Sequence, residues 1–111
     1  MNGNKKKRLS SKETTALDVF SVGMLLKQEN KLETAKTCFE TTLEMKGETA
    51  RCHFQIAQIL IIQNKNEEAL KHIRMARNSN RYDTQYKKIE EMLCNHIAKF
   101  GHISFHQKIY Q

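Results

Sequence analysis

Residues 16–49 read ALDVFSVGMLLKQENKLETAKTCFETTLEMKGET, and residues 50–81 read ARCHFQIAQILIIQNKNEEALKHIRMARNSNR. Laid over one another at a shift of 34 residues, the two stretches agree in side-chain size. Ala16 falls on Ala50, Val22 on Ile56, Gly23 on Ala57, Leu26 on Leu60, Ala35 on Ala69 and Phe39 on Ile73. Asn30-Lys31 falls on Asn64-Lys65, and Glu33 on Glu67. Small and large positions recurring together point to a repeat, in which each unit packs against its neighbour. Spacings of three and four within each stretch predict a pair of helices. Val19, Val22, Gly23 and Leu26, then Ala35, Phe39 and Thr42, form the packing faces of the first pair. His53, Ile56, Ala57 and Leu60, then Ala69, Ile73 and Ala76, form those of the second. Asn30 and Asn64 stand in the turns, where asparagine tolerates the left-handed conformation better than most residues. Glu33 and Glu67-Glu68 place acid in the next first turn, at the positive end of the helix dipole.

This pattern resembles the tetratricopeptide repeat, over residues 16–81. Val19 and His53 stand where that family has a large aromatic residue, Asn30 and Asn64 where it has a turn glycine, and Gly47 and Arg81 where it has proline. The resemblance implies an all-α domain of tetratricopeptide-like helix-turn-helix hairpins, stacked as a short right-handed α-solenoid, with repeats at about 16–49 and 50–81. It also implies a non-enzymatic protein-binding module, an adaptor or small complex subunit, whose helix A side chains line a concave face.

Two hairpins leave an outer face open, so an array needs a cap. Tyr82, Tyr86, Ile89, Leu93, Ile97 and Phe100 form one apolar stripe, which predicts a capping helix over 82–100 ending near Gly101. Glu90 would occupy the small-residue position of a third repeat, so no third hairpin is expected. Ser10 and Glu13 have the spacing of a capping box. Residues 1–9 carry too little apolar surface to fold and are expected to form a disordered basic tail. Residues 101–111 form a C-terminal tail with Ile103, Phe105, Ile109 and Tyr110; the sequence leaves it free to dock back, pair with another chain or remain loose.

The chain has 111 residues, enough for one small domain, with no proline or tryptophan and four glycines, which favours helix throughout. Its formal net charge is +7, from 19 basic and 12 acidic residues. Lys5, Lys6, Lys7, Arg8 and Lys12 supply five of those charges within residues 1–12, so the helical region is nearly balanced. No apolar run is long enough for a bilayer, no secretory signal is evident, and three widely spaced cysteines are expected to stay reduced. A cytoplasmic or nuclear protein is expected, without membrane contact; the basic cluster Lys5–Arg8 alone does not decide nuclear import.

On the concave face the resemblance places Leu17, Phe20, Met24 and Lys27 in the first unit, Arg51, Phe54, Gln58 and Ile61 in the second, and Lys87 and Glu91 on the cap. Phe20, Met24, Phe54 and Ile61 are too apolar for a solvated surface, which points to a peptide or helix as the occupant. The alternative is that the C-terminal tail or a longer first helix covers them. Phe20 and Met24 stand where the chaperone-binding members of the family have a carboxylate clamp, so that clamp is missing. An apolar or amphipathic segment with acidic flanks suits Lys27, Arg51 and Lys87 better. Charged residues at Phe20 and Phe54 are expected to abolish capture while preserving helicity.

Self-association as a homo-oligomer is the alternative function. Nucleic-acid binding, through the tail and the basic run Lys71, Arg74, Arg77, Arg81, Lys87 and Lys88, is less expected because no aromatic-interleaved recognition motif is present. Cys94, His96, His102 and His106 match no paired-cysteine zinc module, so neither metal nor cofactor is expected. No phosphate loop, metalloprotease motif, serine elbow or Cys-x-x-Cys pair appears, and an enzyme is not expected.

Overall fold

The computed structural model describes residues 14–100. These residues are all-helical: α1 (Ala16–Gln28), α2 (Leu32–Glu44), α3 (Thr49–Ile62), α4 (Asn66–Ser79) and α5 (Thr84–Phe100), with no strand among them. The expected box at Ser10 and Glu13, the tail at 1–9 and the apolar residues of 101–111 lie outside the described residues.

Helix α1 starts at a different capping box, in which Thr15 Oγ1 accepts from the Asp18 N–H at 3.1 Å and the Asp18 carboxylate accepts from the Thr15 N–H at 3.0 Å. The Thr15 N–H donating to the Asp18 carboxylate, and to a lesser degree the nearby Thr15 hydroxyl, hold that carboxyl below its ordinary pKa. Helix α1 ends in a Schellman motif: Asn30 N–H reaches Lys27 O, Lys31 N–H reaches Leu26 O, and Asn30 has φ 65°. Helix α3 closes identically, with Asn64 N–H on Ile61 O, Lys65 N–H on Leu60 O and φ 64° at Asn64. The same motif also closes α2, with Lys46 N–H on Leu43 O and Gly47 N–H on Thr42 O. Here Lys46 takes φ 62° without an asparagine's local hydrogen-bonding compensation. Lys46→Gly is therefore expected to raise stability by about 0.5–1 kcal/mol, read from the denaturant midpoint.

Close packing within each helix pair depends on residue size. Gly23 is buried, and a Cβ placed on it would lie 2.7 Å from Phe39 Cε1, so only glycine lets the Phe39 ring approach α1 this closely. The Phe39 ring is fully buried and its centroid is 5.4 Å from that of Phe20. In α3 and α4 the corresponding positions hold Ala57 and Ile73, both fully buried: an added methyl on one helix goes with a smaller side chain on the other. Gly47 is tight for a similar reason, because a Cβ there would meet the Ala16 Cβ at 2.3 Å where α2 ends beside the start of α1. Thr42, buried in α2, satisfies its hydroxyl by donating to Cys38 O at 2.9 Å. Cys38 is half-buried and Cys52 fully buried, and burial pushes the Cys52 thiol up to about 11, which keeps it a protonated packing group.

Helix α5 packs on α4 and is tied to it by ions. Glu90 accepts from Arg74 Nε at 2.9 Å and from Arg77 Nη1, while its own carboxylate is largely covered. Burial alone would raise the Glu90 pKa; the hydrogen bonds from Arg77 and Arg74 outweigh it and hold the carboxyl below its usual value. Tyr86 reaches α3, its ring centroid 5.0 Å from that of Phe54.

Two core expectations need correction. Val22, aligned with the buried Ile56, is 48% exposed. Ile56 lies in the second hairpin with α2 packed against its helix, whereas among the described residues no helix precedes α1 to cover Val22. Tyr82, placed at the head of the capping stripe, is 90% exposed. The helix begins two residues later, because Asp83 caps it by accepting from the Gln85 N–H at 2.8 Å and the Tyr86 N–H at 3.3 Å.

Candidate partner-binding groove

Helix α1 carries apolar residues on every side: Val19, Phe20, Gly23 and Leu26 toward its neighbours, and Leu17, Val22, Met24 and Leu25 away from them. A helix apolar all round is normally enclosed, yet here one side faces solvent. Leu17 and Leu25 are more than half exposed.

Along that side runs an open groove of about 650 Å³, bounded by Leu17, Phe20, Ser21, Met24, Leu25, Lys27, Gln28 and, from α3, Arg51. Two cations edge the apolar floor. The Arg51 guanidinium lies over the Phe20 ring, 4.5 Å from its centroid, and one nitrogen is 2.7 Å from the Glu48 carboxylate. The Lys27 ammonium donates to Gln55 Oε1 at 2.6 Å and to Gln58 Oε1 at 2.5 Å, bridging α1 to α3. Burial pushes the Lys27 ammonium below its usual pKa, and among the described residues no carboxylate pairs with it. A half-desolvated cation held by neutral acceptors favours an anionic ligand group.

Of the ten residues expected on the concave face, Leu17, Phe20, Met24, Lys27 and Arg51 are brought together at this groove. Gln58 joins them indirectly, through Lys27. Phe20 and Phe54 are not free groove residues, being only 2% and 8% exposed. Their rings turn inward, Phe20 against Phe39 and Phe54 against Tyr86, because stacking on another aromatic ring removes more apolar area from water than facing an open groove. Charge at either site is therefore expected to disturb the core, so lost capture there would not separate binding from folding. Ile61 is half-buried against the core, and Lys87 and Glu91 are exposed on α5, away from the groove lining. Ser21, Leu25 and Gln28 were absent from the expected set, although the all-round apolarity of α1 was a readable signal for Leu25.

The basic run on α4 is partly neutralised. Arg74 and Arg77 are engaged by Glu90, in a small pocket completed by Asn78 and Arg81. No helix of the described residues is long and apolar enough to cross a membrane.

Away from the groove, His53 on α3 and His72 on α4 meet with Nδ1 atoms 3.0 Å apart and ring centroids 5.2 Å apart. Burial lowers both pKa values below the ordinary 6.5. The neighbouring His72 charge lowers His53 further, while Glu40 and Glu68 partly oppose the shift at His72 and Lys36 adds to it. Unfolding thus raises proton affinity at both rings, so stability is full above pH 6.5 and falls as pH drops through that value toward the lowered folded pKa values. Urea midpoints measured from pH 8 to pH 5 are expected to decline below about pH 6.5, and the decline to shrink in His72→Gln.

No protein-family model matches this chain, and no curated protein or solved structure matches it either.

Proposed function

We propose that this chain is a non-enzymatic protein-interaction module, an adaptor or small complex subunit built of tetratricopeptide-like hairpins stacked as a short solenoid. It holds an apolar or amphipathic segment along α1, with an acidic group of the segment at the Lys27–Arg51 edge. One observation carries this reading: exposed Leu17, Met24 and Leu25 line a groove whose Lys27 ammonium lacks a carboxylate partner among the described residues. The covered apolar area supplies affinity, and the cations select register and charge.

The reading is tested by photo-crosslinking from a reactive side chain placed at Met24, against the same group at Met75, which is 44% exposed on α4. The expected result is a crosslink at Met24, absent at Met75, to a protein segment with apolar residues at helical spacing and at least one acid. Equal labelling from both sites would overturn it. Self-association is the second reading, favoured by Val22 and Leu25 on the outer side of α1. It predicts sedimentation that changes with concentration, and Met24 crosslinks to the chain itself.

A further inference from the structure

Among the described residues, the His53–His72 contact joins two metal-ligating side chains on different helices without a hydrogen-bonded carboxylate or backbone carbonyl on either ring. Both rings are half-buried, so they are positioned by the hairpin yet still reached by water. We propose that His53 Nδ1 and His72 Nδ1 form a two-imidazole site for a borderline transition-metal cation of the Zn²⁺, Ni²⁺ and Cu²⁺ class, which ties α3 to α4 and completes its coordination with water. This site is independent of the groove on α1.

The geometry suits such an ion. Two nitrogens bound at about 2.0–2.1 Å to a tetrahedral centre lie roughly 3.3 Å apart. The observed 3.0 Å therefore needs to open by a few tenths of an ångström, and since the centroids 5.2 Å apart set the two nitrogens nearly head-on, each ring must also turn about χ1 and χ2 to aim its lone pair at a shared ion. In the metal-free pair one Nδ1 donates its proton to the other. On binding, that proton moves to Nε2 of the same ring, both Nδ1 lone pairs face the ion, and no net proton is released by a neutral pair.

Half-burial disfavours the charged form of both imidazoles, the form that could not ligate an ion. Glu40 and Glu68, whose charges act on His72, favour a cation, and Lys36 opposes it. Among the described residues no third histidine, cysteine or carboxylate completes the set. The site is accordingly open, binds hard cations poorly, and ranks ions in the order Cu²⁺ above Ni²⁺ and Zn²⁺.

The full chain is titrated with ZnCl₂ at pH 7.5 by calorimetry, and its melting temperature is followed with and without ZnCl₂. One equivalent is expected to bind and to raise the melting temperature, while MgCl₂ does neither. His53→Gln and His72→Gln should each weaken Zn²⁺ binding by about tenfold or more, whereas a His102→Gln/His106→Gln double variant should not. Because a histidine variant can lose folding, the wild-type chain is also examined by NMR: the ring resonances of His53 and His72 should move on adding ZnCl₂ more than those of His96, His102 and His106. Zn²⁺ affinity unchanged in His53→Gln, loss of binding in the tail variant, or no movement of the His53 and His72 resonances would each overturn the proposal.

Discussion

Phe39→Ala is expected to destabilise the domain by about 3–5 kcal/mol, most or all of the stability of a small fold. The ring is fully buried, lies against the bare backbone of Gly23 and meets the Phe20 ring at a tilt of 55°, so its loss leaves a cavity with helical walls. A finer version tests the size match itself. Gly23→Ala alone drives a methyl to 2.7 Å from the ring and should cost about 1–3 kcal/mol. In a Phe39→Leu background the same change should cost much less, a coupling of about 1–2 kcal/mol in a double-mutant cycle. Additive free energies would mean that Gly23 is small for another reason.

The second large effect is expected at the groove. Leu17→Glu combined with Met24→Glu should weaken partner binding by about a hundredfold or more, since two apolar contacts are lost and two charges face the occupant. Both side chains already meet solvent, so the far-UV spectrum and urea midpoint should stay close to wild type. This separation of folding from binding is unavailable at Phe20 and Phe54, whose rings belong to the core. Arg51→Glu should also weaken binding, through charge reversal beside the occupant's acid and loss of the stack on Phe20.

The helices and their tight approach were legible from the 34-residue register because side-chain size is written directly in the sequence. Gly23 opposite Phe39, and Asn30 and Asn64 at left-handed turns, follow from sterics that few other residues satisfy. Lys46 was not legible, since its positive φ is imposed by the closing hydrogen bonds of α2 and not by any preference of lysine. Val22 was misplaced because a sequence register treats both hairpins alike, while burial depends on the neighbouring helix: among the described residues α2 packs on the helix of Ile56 and no helix precedes α1. Phe54 was assigned to the open face but is buried against Tyr86, and Phe20, although it lines the groove, is covered; register fixes the Cα direction, and ring contacts decide where a large side chain settles. The His53–His72 contact required tertiary knowledge, because nothing in either helix's periodicity pairs two residues 19 apart.

The central claim, that α1 receives the partner, is tested most directly by NMR mapping. The segment crosslinked at Met24 is added as a peptide to isotope-labelled protein, and backbone amide shifts are followed. The account predicts saturable shifts concentrated at Leu17, Ser21, Met24, Leu25, Gln28 and Arg51, with Lys27 side-chain resonances moving in parallel. Shifts centred instead on Arg74, Arg77 and Arg81 of α4, with α1 unchanged, would contradict it.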